Sequence, residues 1–135
     1  MRGTIHHVEL NVSDLHRSVA FWGWLLGELG YSVHQQWPEG QSWILRGTYI
    51  VLVQTPAEQL AGGYHRRRTG LNHLAFQVES RQAVNELTAQ LRQRGVTILY
   101  PDCHPFAGGG DSYAVFFEDP DRIKLEVSAP PERTS

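Results

Sequence analysis

The sequence predicts an α+β protein: two βαβββ modules paired into one curved mixed sheet, with the helices on its convex side. Three observations predict this. A histidine-headed strand pattern occurs twice, two amphipathic helices follow in matching register, and two closing strands each stop at a proline.

The first strand pattern, Ile5-His6-His7-Val8-Glu9-Leu10-Asn11-Val12, resembles Leu71-Asn72-His73-Leu74-Ala75-Phe76-Gln77-Val78. Period-two alternation is the mark of a strand with one buried face. Val8, Leu10 and Val12 share that face, as do Leu74, Phe76 and Val78; His7, Glu9 and Asn11 lie opposite, as do His73, Ala75 and Gln77. In the first helix Leu15, Val19, Trp22, Leu26 and Leu29 form one apolar stripe. Ser13 or Asp14 suits its N-cap, and Gly30 a left-handed exit. In the second helix the stripe is Val84, Leu87 and Leu91, with Ser80 as cap and Gly95 at the end. Val19, Trp22, Leu26 and Gly30 map onto Val84, Leu87, Leu91 and Gly95 at a constant offset.

Three short strands follow each helix: about residues 31–37, 42–46 and 49–55 in the first module, and 97–100, 113–118 and 123–128 in the second. Aligning the closing strands on Pro56 and Pro130, which cannot donate to a ladder, superposes Leu52 on Glu126. The organisation expected is a single domain over 1–135, with modules at about 4–56 and 70–130 and a polar, basic linker at 57–69.

With 135 residues, 41% hydrophobic and 19% charged, the chain can bury a core. A net charge of −2 supplies no field for nucleic acid or an anionic membrane, so neither is expected as a partner. No apolar run reaches the ~20 residues of a spanning helix, and a strand begins within the first residues, leaving no signal peptide; a cytoplasmic protein is expected. The single cysteine, Cys103, excludes an intrachain disulfide and a cysteine-based zinc cluster, and reads as a bystander rather than a nucleophile. Arg66-Arg67-Arg68 reads as a solvated loop, with anion binding as the other option.

The repeat places His7 and His73 on the face turned away from the helices, and alternation in the last strand puts Glu126 there too. Two histidines and one carboxylate suit Fe(II), Mn(II) or Zn(II) with positions left open. Taken alone, the pattern serves equally for hydrogen-bonded strand histidines beside a paired glutamate.

The run His7-Val8-Glu9-Leu10-Asn11-Val12-Ser13-Asp14-Leu15, then Ser18-Val19-Ala20-Phe21-Trp22, resembles the opening of the vicinal oxygen chelate superfamily. Its members include glyoxalase I, bleomycin-resistance proteins, fosfomycin-resistance thiol transferases, methylmalonyl-CoA epimerase and extradiol dioxygenases. Asn72-His73-Leu74-Ala75-Phe76 and Asp119-Pro120-Asp121-Arg122-Ile123-Lys124-Leu125-Glu126 are similar to it as well, so the likeness spans about 4–128. It implies His7, His73 and Glu126 as ligands of one divalent ion per chain, a small-molecule substrate, and a homodimer.

The chain departs from that pattern in places. Glyoxalase I and the epimerase carry a further glutamate where the proline alignment puts Leu52, so their proton-transfer reactions lack a central group here. Glu9 or Gln54 is the substitute by alternation, and Glu9 and Tyr113 are the candidate catalytic residues. Lyase, thiol-transferase and dioxygenase chemistry stay open for a metal-dependent enzyme, with His104 and Tyr113 the dioxygenase candidates by residue type. The alternative is a bleomycin-resistance-like binding protein without catalysis. Arg122 stands where the Asp-Pro-Asp turn of the family continues with glycine. The insertion Cys103–Gly110 reads as a hairpin loop or a lid, and Trp37, Trp43, Tyr49 and Phe116 as pocket wall or core.

Overall fold

A computed structural model describes residues 1–132 and divides the chain into two compact units, Met1–Gly63 and Tyr64–Ser135. The boundary falls inside the predicted linker, which holds a 3₁₀ turn at Ala57–Gly62.

The first unit runs β1 (His7–Val12), α1 (Leu15–Glu28), β2 (Ser32–Trp37), β3 (Gly40–Leu45) and β4 (Thr48–Gln54). Its sheet order is β1-β4-β3-β2, with β1 parallel to β4 and the other pairs antiparallel. Asp14 is the N-cap, accepting from Arg17 N at 3.1 Å, and Gly30 leaves the helix at φ 90°. Trp22, Leu25 and Leu26 are fully buried, as are Val12 and Leu52 on the sheet.

At the β2–β3 hairpin Trp37 pairs with Gly40, and its indole lies over the glycine. A Cβ on Gly40 would stand 2.4 Å from Trp37 Cζ2 and 2.7 Å from the Leu52 carbonyl oxygen. The backbone cannot yield cheaply, so Gly40→Ala is expected to cost about 1–3 kcal/mol of stability by overpacking. Denaturant midpoints of the two proteins measure this; an unchanged midpoint would mean that β3 does not approach β4 this closely.

The second unit runs β5 (Leu74–Gln77), α2 (Arg81–Gln93), β6 (Ala114–Glu118) and β7 (Lys124–Ser128). Its order is β5-β7-β6, with β5 parallel and β6 antiparallel to β7. Ser80 caps α2 through Ala83 N, and Gly95 ends it at φ 72°. The strand expected at 97–100 shrinks to one bridge, Ile98 with Phe117. Tyr100 turns to φ 53° and Pro101 has no N–H to donate, so pairing cannot continue.

Strand register corrects the alignment of the repeat. His7 pairs with Tyr49, Glu9 with Val51 and Leu10 with Leu52. In the second unit Ala75, the repeat equivalent of Glu9, pairs with Glu126. Val51, not Leu52, is therefore the counterpart of Glu126, and Leu52 points into the helix-covered core. The prolines misled by one position, because Val51 precedes Pro56 by one residue more than Glu126 precedes Pro130. A slip of one residue carries a side chain to the opposite face.

Gln54 needs the same correction. It pairs with Val12, on the helix face. Its Oε1 accepts from Leu15 N at 2.9 Å and its Nε2 donates to Ser13 O at 2.9 Å. The amide ties β4 to the start of α1 and is no substitute base.

Candidate metal centre

In the second unit His73 and Glu126 meet. His73 directly precedes β5, Glu126 sits at the centre of β7, and these strands are hydrogen-bonded neighbours. Nε2 of His73 lies 3.2 Å from Glu126 Oε1, while its Nδ1 lies 2.7 Å from Asn72 Oδ1. Both flanking atoms are acceptors, and a neutral imidazole carries a single N–H. With Nδ1–H given to Asn72, the Nε2 lone pair faces a carboxylate oxygen. That contact is repulsive unless a proton or a cation stands between the two atoms. The donor set thus fits a divalent cation, and the side chains are 33% and 15% exposed, open enough to admit one.

The face around the pair is mixed. Phe116, the antiparallel partner of Glu126, sets its ring 6.0 Å from that of His73. Lys124 lies two residues from Glu126 and so on the same face. Its Nζ donates to Tyr100 Oη at 2.8 Å and sits over the Tyr100 and Phe116 rings at 4.8 and 5.1 Å.

In the first unit His7 opens β1 and stacks on Tyr49 at 4.7 Å with the rings 3° from parallel. His6 Nδ1 lies 2.8 Å from His7 Nδ1. His6 and Asn72 are repeat equivalents, so in both units the preceding side chain engages Nδ1 of the site histidine. If His7 Nδ1–H is the donor, its Nε2 keeps a free lone pair, as in His73. Glu9 follows on the same exposed face. Within neither unit, among the described residues, do three or more His, Cys, Asp or Glu side chains gather as a ligand set; the second unit supplies the pair.

The model of the Glyoxalase/Bleomycin resistance protein/Dioxygenase superfamily matches residues 4–127. The chain belongs to that superfamily. It is 54% identical to the uncharacterized protein YqjT of Bacillus subtilis, over 93% of this chain and 98% of that one. A crystal structure of a candidate glyoxalase from Bacillus halodurans superposes with a TM-score of 0.94 at 56% identity, covering 96% and 97% of the two chains. Glutathione transferase FosA of Serratia marcescens is 30% identical, over 94% of this chain and 81% of its own.

Tyr113 bonds Asn85 Oδ1 on α2 at 2.5 Å, with the Arg81 guanidinium over its ring at 4.8 Å. Its hydroxyl is directed to α2, not to Glu126. His104 is in the Cys103–Gly110 loop, where burial, and then Arg92, push its imidazole pKa down. That loop is a series of tight turns, and Arg81 also covers its Phe106, at 5.7 Å. Trp43 and Phe116 are both buried in the core, Phe116 with its ring 6.0 Å from that of His73, whereas Tyr49 stacks on His7.

Sequence reasoning passed over Asn72 and Lys124. The position of Asn72 directly before His73, repeated by His6 before His7, was a readable signal. Lys124 had none, since its partner Tyr100 arrives from a segment without regular structure.

Proposed function

We propose that this superfamily member is a cytoplasmic metal-dependent enzyme that acts on a small molecule through two neighbouring oxygens, with His7, His73 and Glu126 holding one Fe²⁺, Mn²⁺ or Zn²⁺ ion. The observation that carries the proposal is His73, with Asn72 on one ring nitrogen and the Glu126 carboxylate on the other. Outer hydrogen bonds of this kind fix the tautomer of a ligating histidine and raise its basicity. Bound there, the cation supplies Lewis-acid polarisation of the paired oxygens and stabilises charge that develops on them.

The chain's own residues do the rest. His6 and Asn72 orient the two imidazoles, and Glu126 offsets cationic charge. Glu9 is the carboxylate on the His7 face available to hold or pass a proton, and Tyr113 is left out because its hydroxyl serves α2. Among lyase, transferase and dioxygenase chemistry, the likeness to a glutathione transferase over nearly the whole chain supports group transfer. Val51 speaks against isomerisation, since an alkyl chain stands where a second carboxylate would. The test is elemental analysis after metal loading, with one ion per chain expected, followed by a search for thiol-dependent turnover. A loaded protein that holds no stoichiometric metal would overturn the reading.

The same reading includes a homodimer. β2 is an edge strand, exposed along its whole length, with Val33 55% and Trp37 37% exposed. Such an edge invites pairing with a second chain. Sedimentation velocity at micromolar concentration should show a dimer, and a pure monomer would count against it.

A further inference from the structure

The second unit holds a cavity of about 120 Å³ lined by Tyr64, His65, Arg66, Arg67 and Arg122. Three of the five are arginines, and no carboxylate lines it among the described residues. Two acids stand close to the wall, and one of them pairs with two of its three arginines, which leaves the wall net cationic. Glu118 Oε2 receives Arg122 Nε at 3.1 Å and lies 3.8 Å from Arg66 Nη1. Asp119 is buried, and its Oδ1 accepts from the amides of Asp121 and Ile123, both at 2.8 Å.

The wall is built rather than loose. Tyr64 donates its hydroxyl to Leu71 O at 2.7 Å, pinning the segment that carries the arginines. Arg66 Nη1 donates to the Arg122 carbonyl at 3.4 Å, joining that segment to the turn before β7. His65 Nδ1 accepts from Arg67 N at 3.0 Å, which leaves Nε2–H of a neutral ring as a further donor. Arg122 itself stands at φ 66°, held by the Asp119 turn. A left-handed backbone is disfavoured for any residue with a Cβ, and glycine would relieve it. An arginine kept in a conformation that suits glycine points to work done by its side chain.

We propose that this cavity binds a phosphate-type oxyanion. Guanidinium forks match the several acceptor oxygens of such a group, which a single carboxylate would leave partly unused. At about 120 Å³ the space takes one small anionic group, since pockets for drug-sized ligands begin near ~300 Å³. The basic run Arg66-Arg67-Arg68 thereby supplies, through its first two members, two of the three arginines of the site.

The test is calorimetric titration with inorganic phosphate, phenyl phosphate and acetate, using wild type, His73→Ala, Arg67→Gln and Arg122→Gly. Saturable one-to-one phosphate binding is expected in wild type, unchanged in His73→Ala, which separates this cavity from the proposed metal site. Arg67→Gln and Arg122→Gly should each weaken it about tenfold or more, as loss of a charge-assisted hydrogen bond does. Arg122→Gly should do so without lowering the thermal midpoint measured in the absence of phosphate. Binding of phenyl phosphate as tight as that of the free ion supports a phosphate carried on an organic molecule; binding of inorganic phosphate alone supports the free ion. Acetate binding as tightly as phosphate, loss of binding in His73→Ala, or indifference to both arginine variants would overturn the proposal.

Discussion

Given metal and either the methylglyoxal–glutathione adduct or methylmalonyl-CoA, this protein should show trace turnover at most. Both reactions move a proton at a carbon beside a carbonyl and need a base within hydrogen-bond reach. The strand register puts Val51 opposite Glu9 in the place that Glu126 holds opposite Ala75. Val51 is buried and alkyl, so it neither binds a cation nor accepts a proton. Absence of a positioned base typically costs about 10²–10⁴-fold in rate. Gln54 cannot fill the gap, since its amide is bound to the start of α1. Glu9 is the nearest carboxylate by register, so Glu9→Gln should remove whatever trace is seen. Vigorous turnover that survives Glu9→Gln would show that the base lies elsewhere and that the register argument misses it.

Replacing His73 with alanine should reduce affinity for a divalent ion by about 100-fold or more, and Glu126→Ala should do the same. Asn72→Ala should cost about 10–100-fold, the usual effect of removing the outer hydrogen bond of a ligating histidine. The fold should survive each change. His73 precedes β5 rather than packing in the core, and its side chain is one-third exposed. Glu126 shares its face with Ala75 and Phe116, whereas Leu125 and Val127, both fully buried, hold β7 against α2. Metal titrations monitored with unchanged far-UV circular dichroism would check this. Equal affinity in Asn72→Ala and wild type would mean that the asparagine does not set the histidine tautomer.

Much of the fold was legible because local rules agreed with one another. Alternation gave β1 and β5, the three- and four-residue stripes gave α1 and α2, and the caps Asp14 and Ser80 with Gly30 and Gly95 bounded them. The misreadings have a common cause. Residues 97–100 look like a strand, but Tyr100 leaves the extended region just before a proline, and no periodicity encodes that. The prolines after β4 and β7 seemed to fix a register that only the hydrogen-bonded ladders define. Aromatic type said nothing about placement: Trp43 is core, Phe116 is core and also flanks His73, and Tyr49 stacks on His7. The meeting of His73 with Glu126 was readable because alternation turns both from the helix. The bond from the Tyr113 hydroxyl to Asn85 was not legible, because the asparagine comes from α2 across many residues of chain.

The most direct test of the metal centre is elemental analysis of metal-loaded wild type beside the His7→Ala/His73→Ala double variant, each folded by circular dichroism. One divalent ion per chain in wild type and almost none in the double variant is the result predicted. Stoichiometric metal retained without both histidines would contradict it.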